Sequence, residues 1–470
     1  MNTSDLDDGS AVRLMPAKAI MIIVAWVLFF VIRAWLPLGN LPETYDAGAV
    51  RTGLAILTLA ATLWLSEALP LAITAILIPV LAALTGTLDV TKSFSGFAHP
   101  LIFLFLGGFG LAAALSYQKL DQWLAQHILK IGRGSFHVTA IALFLTSALL
   151  SMWISNTATV ALLLPVALGI LAHIKSTCGP AVIARCSTYL LLGIAYSASI
   201  GGIGTLIGTP PNAIAAANLG ISFSEWLAVG LPAVAILLPV LFIALRLLAK
   251  PGDVPHFKVE APAFQFNTAR TLTLAIFFSA ICGWLFSAPL AALFGIANSF
   301  DTLVAICALL LLASCRLVRW KDVDRTTNWG VLLLFGGGIT LSKVLGATGA
   351  SKFLAYQIQT LTSGWPTVLF IGIIVVFVIF LTELSSNTAS TALLVPIFAA
   401  VAVNMSIPVT ELILPLTLAA SCAFMLPVAT PPNAIVFGSG HIQQRDMVRI
   451  GLVLNLTFAV LLTVLSQILF

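Results

Sequence analysis

Apolar residues occur along this chain in stretches about twenty residues long, the length of helix that crosses a bilayer. Single crossings are predicted at residues 19–37, 50–69, 71–88, 101–118, 188–218, 226–247, 271–290, 301–316, 328–349, 412–436 and 449–468. Two further stretches, 135–173 and 365–404, are too long for one crossing, and Ser-Asn-Thr interrupts each at its centre. A re-entrant hairpin fits both. The pattern predicts an all-α polytopic membrane protein with about eleven transmembrane helices and two re-entrant hairpins.

Composition supports this class, because 60% of the residues are hydrophobic and only 8% are charged, against about 25% charged in soluble domains. The polar start, residues 1–18, lacks the features of a removable signal peptide and is interpreted as a cytoplasmic tail. The net charge of +5 predicts no nucleic-acid partner, because the basic residues lie in loops between apolar stretches. The six cysteines are scattered without metal-ligand spacing.

The placement of the 22 Lys and Arg residues predicts the orientation. With the N-terminus in the cytoplasm, only Arg51, Lys92, Lys343 and Lys352 fall on the outer side, and Arg33 lies within the first span. This bias obeys the positive-inside rule. The bias would break down if either hairpin were counted as a full crossing, because the later loops would then change sides. The C-terminus is then predicted outside, in an inner (plasma) membrane of the bacterial type.

Two motifs occur twice, with a similar offset between the copies. Ser-Asn-Thr begins at Ser155 and again at Ser386, and Thr-Pro-Pro-Asn begins at Thr209 and again at Thr430. FLGG from Phe105 also resembles LFGG from Leu334. An odd number of membrane elements per copy predicts an inverted repeat, and duplicated interrupted apolar segments point to the binding site of a secondary transporter.

The hairpin tips, 155–157 and 386–388, have the composition of an anion site. Ser, Thr and Asn side chains favour helix termini, and the half-helix that starts there presents free N–H groups and a positive dipole end. Two such tips suggest two carboxylate ends on one substrate. The alternative is ordinary N-capping of a re-entrant turn.

The proline pairs predict that two crossings are broken, at 208–212 and 429–433, because adjacent prolines do not fit inside a helix. The breaks free carbonyl groups at Gly208 and Ala429. Neutral carbonyl, hydroxyl and amide oxygens suit a small monovalent cation, so the motifs together predict a cation-coupled anion carrier. A proline kink with packing glycines is the alternative.

Few ionisable residues lie within the apolar stretches, and such residues are functional candidates. Glu67 is near the inner end of the second span, and Glu383 precedes the second tip by three residues. Two alternative roles are open for Glu383. It shapes the hairpin and raises the cation affinity, or it only makes hydrogen bonds to a nearby turn. The basic run from Cys315 to Arg325 is interpreted as an orientation signal. No catalytic cluster is recognisable, so an enzyme is not predicted.

On these paired motifs the chain resembles the divalent anion/sodium symporter family, the INDY-type dicarboxylate transporters, over nearly its whole length. The resemblance implies a homodimer in the lipid membrane, with a scaffold and a transport domain that moves in an elevator manner. It also implies sodium-driven import of C4 dicarboxylates such as succinate, malate and fumarate, with at least two sodium sites. The alternatives are an anion exchanger, or a sulfate or tricarboxylate transporter, of the same superfamily. Exchangers carry basic residues in place of the ions, and none is seen here.

The resemblance assigns site residues by position. The first sodium ion would be bound by Ser151, Ser155, Asn156 and the carbonyl group of Gly204. The second would be bound by carbonyl groups of Thr382, Ser385 and Ala429 and the amide of Asn387. The substrate would contact Asn156, Thr157, Asn387, Thr388, Thr430 and Pro431.

The same resemblance divides the chain into segments. They are the tail 1–18, scaffold helices 19–100, the first half of the transport domain 101–220, scaffold helices and loops 221–325, the second half of the transport domain 326–440, and a C-terminal transmembrane helix 441–470.

Overall fold

The computed structural model describes residues 16–38, 46–121, 123, 134–175, 178–252, 254–255, 265–296 and 298–469, and residues 1–15 of the predicted tail lie outside that part. In the described residues the regular structure is helical. The α-helices are α1 (Pro16–Trp35), α2 (Ala47–Ser66), α3 (Leu71–Leu84), α4 (Val90–Phe94), α5 (Pro100–Tyr117), α6 (Phe136–Ser151), α7 (Asn156–Ile174), α8 (Pro180–Ile203), α9 (Pro210–Leu219), α10 (Phe223–Ala249), α11 (Thr268–Leu285), α12 (Ser287–Phe294), α13 (Phe300–Ser314), α14 (Trp320–Thr326), α15 (Trp329–Thr348), α16 (Ala350–Leu361), α17 (Thr367–Thr382), α18 (Asn387–Asn404), α19 (Val409–Ala420), α20 (Pro431–Gly438) and α21 (Gln444–Ser466).

The helices have the length and apolar surface that a bilayer requires. Within the described residues, 10 helical segments are long and apolar enough to cross a membrane, and further apolar helices such as α3, α13 and α19 are shorter. Large apolar side chains are exposed on several of them, for example Phe30 at 59%, Leu247 at 62% and Phe278 at 58%. Apolar surface on this scale is stable against lipid and not against water. The predicted all-α membrane class is confirmed.

Both long apolar stretches form two helices joined by a four-residue turn. In the first hairpin, α6 ends at Ser151 and α7 begins at Asn156. In the second, α17 ends at Thr382 and α18 begins at Asn387. The turns therefore occupy 152–155 and 383–386, so Ser-Asn-Thr starts the second helix of each hairpin. The reason is that the serine acts as the N-cap residue, which leaves Asn and Thr in the first helical turn.

The two broken crossings are interrupted before their proline pairs. α8 ends at Ile203 and α9 begins at Pro210, whereas α19 ends at Ala420 and α20 begins at Pro431. The interruptions span 204–209 and 421–430, a few residues before the expected 208–212 and 429–433. Proline is favoured in the first turn of a helix, where its missing N–H group has no intrahelical partner to lose. Each pair therefore begins a new helix instead of breaking one.

The two repeats pack in matching ways at helix crossings that glycine allows. A Cβ atom added at Gly107 of α5 would lie 2.6 Å from Ala305 of α13, and one added at Gly337 of α15 would lie 2.6 Å from Ala75 of α3. The offset from position 107 to 337 equals the offset from position 75 to 305, so the two crossings are equivalent. Helix backbones approach this closely only at small residues. The crossings therefore support the repeat seen in the sequence.

We expect Gly107→Ala and Gly337→Ala to destabilise the protein by about 1–3 kcal/mol each, because the new methyl group forces two helix backbones apart. The measurement is the apparent melting temperature of the purified protein in detergent. Gly346→Ala on α15 is the matched control, because a Cβ atom there would meet nothing within 4 Å. Equal melting temperatures for Gly337→Ala and Gly346→Ala would contradict the close crossing.

The hairpins and broken helices of the two repeats are interlaced. Each hairpin packs against the broken helix of its own repeat, α7 against α8 and α18 against α19. The short helix after each proline pair crosses to the other repeat, so that α9 contacts α18 and α20 contacts α7. This exchange brings both tips and both interruptions to one place in the molecule.

Candidate functional site

One cavity of about 830 Å³, called the main cavity, is lined by residues of both repeated motifs. Its lining includes Ser155–Thr157 and Ser386–Thr388 from the two tips, with Thr209–Pro210 and Thr430–Pro431 from the two interrupted helices. The volume falls within the roughly 300–1,000 Å³ of small-molecule sites. The structure therefore brings together four segments that are far apart in the chain.

Most of the residues assigned by resemblance line this cavity. They are Ser155, Asn156, Thr157, Ser385, Asn387, Thr388, Ala429, Thr430 and Pro431. The other three, Ser151, Gly204 and Thr382, are buried behind the lining. The ligands at Ser151 and Gly204, assigned to the first ion, and at Thr382, assigned to the second, are therefore more deeply buried than the cavity surface.

Each tip presents a helix N-terminus to the cavity. The hydroxyl oxygens of Ser155 and Ser386 accept hydrogen bonds from the N–H groups of Ala158 at 3.2 Å and Ala389 at 3.4 Å. In an α-helix, the N–H groups of the two residues between the N-cap serine and this alanine have no intrahelical partner. Because these groups belong to Asn156–Thr157 and to the corresponding Asn387 and Thr388, both tips offer backbone donors and a positive dipole end to an anion.

Neutral oxygen atoms gather behind the first tip. Ser151 donates its hydroxyl hydrogen to the side-chain oxygen of Asn156 at 2.5 Å. A Cβ atom on Gly202 would lie 2.7 Å from that amide oxygen and 3.2 Å from the carbonyl oxygen of Gly208. The hydroxyl, amide and carbonyl oxygens are of the type that Na⁺ prefers. The carbonyl oxygen of Gly204, by contrast, lies against Gly230 of α10, where a Cβ atom would be 2.8 Å away.

The second tip has an oxygen atom without a partner. The side-chain oxygen of Asn387 is buried and accepts no hydrogen bond from the described residues. Leaving a buried acceptor unpaired costs about 1–3 kcal/mol, and a bound cation would satisfy it. The Ser385 hydroxyl nearby is shared with Ser390 at 2.8 Å. This donor set also fits a monovalent cation.

The asparagines of the two Thr-Pro-Pro-Asn motifs hold the interruptions in shape. The Asn212 amide donates to the carbonyl oxygens of Gly202 at 2.9 Å and Thr205 at 2.7 Å. The Asn433 amide makes the equivalent bonds in the second repeat, to Ala423 at 3.0 Å and Leu426 at 3.1 Å. Both side chains are fully buried. Neither asparagine was predicted to have a role, although the duplication of the motif indicated one.

Glu383 braces the second interruption against the second hairpin. One carboxylate oxygen accepts N–H groups of Phe424 at 2.7 Å and Met425 at 2.8 Å and the Asn455 amide at 2.7 Å. The other accepts the N–H group of Leu426 at 2.9 Å. Of the two roles considered for Glu383, the structure shows hydrogen bonding to a nearby turn. That turn is the 421–430 interruption.

The first repeat is braced differently. Met152 follows the end of α6 directly, as Glu383 follows the end of α17, so the two residues occupy equivalent places in their hairpins. The carbonyl oxygen of Met152 accepts the Thr205 hydroxyl at 2.5 Å, a bond between neutral groups. The buried carboxylate of Glu383, 3% exposed, therefore distinguishes the second half of the site from the first.

Two further charged side chains lie at the rim of the site. Glu67 lines the main cavity, and its backbone is in the left-handed region at φ 47°. An adjoining cavity of about 420 Å³ shares Ser155, Thr157 and Asn328 with the first and is also lined by Arg325. The run ending at Arg325 was interpreted as an orientation signal rather than a ligand site, and nothing in the sequence placed this residue beside a tip.

Comparison with known proteins gives a consistent result. A family model described as "Sodium:sulfate symporter transmembrane region" matches residues 17–469. An uncharacterized transporter of Haemophilus influenzae is 46% identical over 96% of each chain. The sodium-dependent dicarboxylate transporter SdcS of Staphylococcus aureus is 34% identical, over 87% of this chain and 84% of its own.

The fold is also similar to a solved structure. The Alcanivorax borkumensis YdaH transporter, whose topology is described as unusual, superposes with a TM-score of 0.56 at 15% identity, over 96% of this chain and 98% of its own. At that identity the similarity concerns the fold alone. Because the family match spans almost every residue and the similarity to SdcS extends over most of both chains, the chain belongs to the sodium:sulfate symporter family of membrane transporters, the divalent anion/sodium symporters.

Proposed function

We propose that the protein is a sodium-coupled symporter that imports C4 dicarboxylates, such as succinate, malate and fumarate, across the inner membrane. The observation that carries this proposal is the single cavity lined by both Ser-Asn-Thr tips and both Thr-Pro-Pro segments. The name of the SdcS relatives supports the substrate class. The chain would act as a homodimer in the lipid bilayer.

The described residues that line the main cavity include no Lys or Arg. The substrate would therefore be bound there without a fixed positive charge. The N–H groups and hydroxyls of Thr157 and Thr388 would each hold one carboxylate, with the Asn156 and Asn387 amides beside them. Bound Na⁺ ions would offset the remaining negative charge. Since each asparagine would touch an ion and the substrate, binding of one would favour binding of the other, which is the coupling that symport requires.

The two sodium ions would be held by the sets assigned by resemblance. The first set is Ser151, Ser155, Asn156 and the Gly204 carbonyl. The Gly208 carbonyl is a further candidate ligand, either instead of the Gly204 carbonyl or together with it. The second is Thr382, Ser385, Asn387 and Ala429, which includes the unpaired amide oxygen. Both sets combine hairpin and interruption, so an ion would stabilise the contact between them.

Transport would follow an elevator movement. Segments 101–220 and 326–440 would form the moving body, and segments 19–100, 221–325 and 441–470 would stay fixed. With the N-terminus in the cytoplasm, Glu67 and Asn328 lie at the inner ends of their helices. Both line the main cavity, so the cavity would open to the cytoplasm and the structure would correspond to the inward-facing state.

The test is uptake of radiolabelled succinate by liposomes that contain the purified protein. We expect accumulation only with an inward Na⁺ gradient, and none when K⁺ replaces Na⁺ outside. Uptake that ignores sodium would reject symport, and uptake that needs succinate or another anion inside would indicate an exchanger. Competition by sulfate and citrate in the same vesicles would decide between the dicarboxylate and the other anions.

A further inference from the structure

A third cavity, of about 260 Å³, lies between α8, α10 and α21 and shares no lining residue with the two cavities of the site. Its lining includes three basic side chains, Arg185, Lys250 and Arg449, and one acidic side chain, Asp446. Each basic residue comes from a different helix or helix end. The cluster is therefore made by tertiary packing and is not a basic run in the sequence. We call this space the basic cavity.

The walls of the basic cavity are closely packed in this conformation. Ala249 and Ile450 are 6% and 2% exposed and contribute apolar lining. Next to Lys250, the carbonyl oxygen of Pro251 accepts the thiol hydrogen of Cys186 on α8 at 3.3 Å. This bond ties the end of α10 to α8. In this conformation the bond keeps Arg185, on the segment proposed to move, in the same cavity as Lys250, on the segment proposed to stay fixed.

The charges of the cavity are not balanced within the described residues. Arg185, Lys250 and Arg449 form no ion pair there, and a single carboxylate faces three cations. Like charges gathered in one cavity repel each other, and a bound anion removes that repulsion. Arginine forks match the oxygen atoms of phosphate, and lysine adds a point charge.

The position of the cavity suits a phospholipid. The positive-inside distribution places all three basic residues on the cytoplasmic side, where anionic headgroups attract basic residues. Ile243 and Leu247, on the last turns of α10, are 59% and 62% exposed and offer apolar surface next to Lys250. We propose that the basic cavity binds a phosphate ester group, presented by a phospholipid headgroup of the inner leaflet or by a soluble phosphate compound.

The experiment is titration of the detergent-purified, delipidated protein, followed by native mass spectrometry, with three probes. These are phosphatidylglycerol, diacylglycerol as the lipid without phosphate, and glycerol 3-phosphate as the phosphate without acyl chains. We expect saturable binding of phosphatidylglycerol and none of diacylglycerol at the same concentrations. Binding of glycerol 3-phosphate with similar affinity would identify a soluble ligand as the source, and its absence would identify the membrane.

The cavity variant combines Arg185→Gln, Lys250→Gln and Arg449→Gln. We expect each single substitution to weaken phosphatidylglycerol binding about fivefold and the triple variant about a hundredfold, from the usual contribution of one basic residue near an anionic surface. The single variants keep the proposal testable if the triple variant does not fold, and monodisperse elution checks folding.

The matched control removes the same charge elsewhere on the same predicted side, with Arg316→Gln, Lys321→Gln and Arg445→Gln. None of these residues lines the basic cavity, and because salt screens exposed charges that lie far from a bound anion, we expect less than about a threefold change. Equal weakening by both triple variants would overturn the proposal in favour of general charge attraction. Unchanged binding in the folded cavity variants would also overturn it. Because the readout is lipid binding, the result is independent of succinate transport.

Discussion

Glu383→Ala is expected to destabilise the protein by roughly 3 kcal/mol or more, because it leaves three backbone N–H groups and the Asn455 amide without their acceptor in a buried place. The apparent melting temperature in detergent should fall by on the order of 5 °C. Glu383→Gln should lose less, since one oxygen atom remains as an acceptor.

Glu411→Ala is the control for this prediction. Glu411 also accepts an amide hydrogen bond, from Gln467 at 2.7 Å, but that bond is exposed. Exposed hydrogen bonds contribute little to stability, so the melting temperature of Glu411→Ala should stay close to that of the unchanged protein. A Glu383→Ala protein as stable as Glu411→Ala would show that the carboxylate does not brace the interruption.

Glu383→Gln should also affect sodium binding. Glu383 fixes the 421–430 interruption, which carries the Ala429 carbonyl assigned to the second ion. Sodium-induced stabilisation of Glu383→Gln should therefore require a higher Na⁺ concentration than that of the unchanged protein. A purely structural residue would lower the melting temperature at every sodium concentration by the same amount, and that outcome would reject the link to the ion.

The second large effect is expected at the two tip asparagines. Asn156→Ala and Asn387→Ala should each weaken both sodium and succinate dependence of uptake by about tenfold or more, because each amide would contact an ion and the substrate. Thr157→Ala and Thr388→Ala should weaken succinate affinity mainly. The measurements are the half-saturating Na⁺ and succinate concentrations in proteoliposomes.

Asn404→Ala provides the matched control for the asparagines. Asn404 is at the far end of α18, where its amide donates to Gln359 at 2.7 Å in an exposed place. Succinate uptake by the Asn404→Ala protein should equal that of the unchanged protein. If sodium dependence is the same in Asn156→Ala, Asn387→Ala and Asn404→Ala, the asparagines are not shared ligands.

Local sequence patterns were enough for the class of the protein and for the position of its unusual segments. Apolar stretches of membrane length, two of them interrupted by Ser-Asn-Thr, predicted both hairpins and most of the long helices, although α8 begins at Pro180, before the predicted start at residue 188. The boundary errors at the tips and at the broken crossings have one cause, since the capping serines and the proline pairs start helices instead of ending them. Such preferences act within one helical turn, so they can be read from neighbouring residues.

The site itself depended on contacts between distant parts of the chain. The packing of α9 against α18 and of α20 against α7 joins helices from different repeats, which no local pattern specifies. The same holds for the partners of Glu383 and for Arg325 beside the first tip.

The sequence by itself therefore determined which residues lack a place in an ordinary lipid-facing helix, because polarity and proline geometry are properties of each residue and its neighbours. Only the tertiary structure decided that those residues meet in one cavity, that Glu383 holds one half of it, and that three basic residues converge elsewhere. Those features depend on side chains and backbones from different helices, whose separation is set by packing across the whole protein.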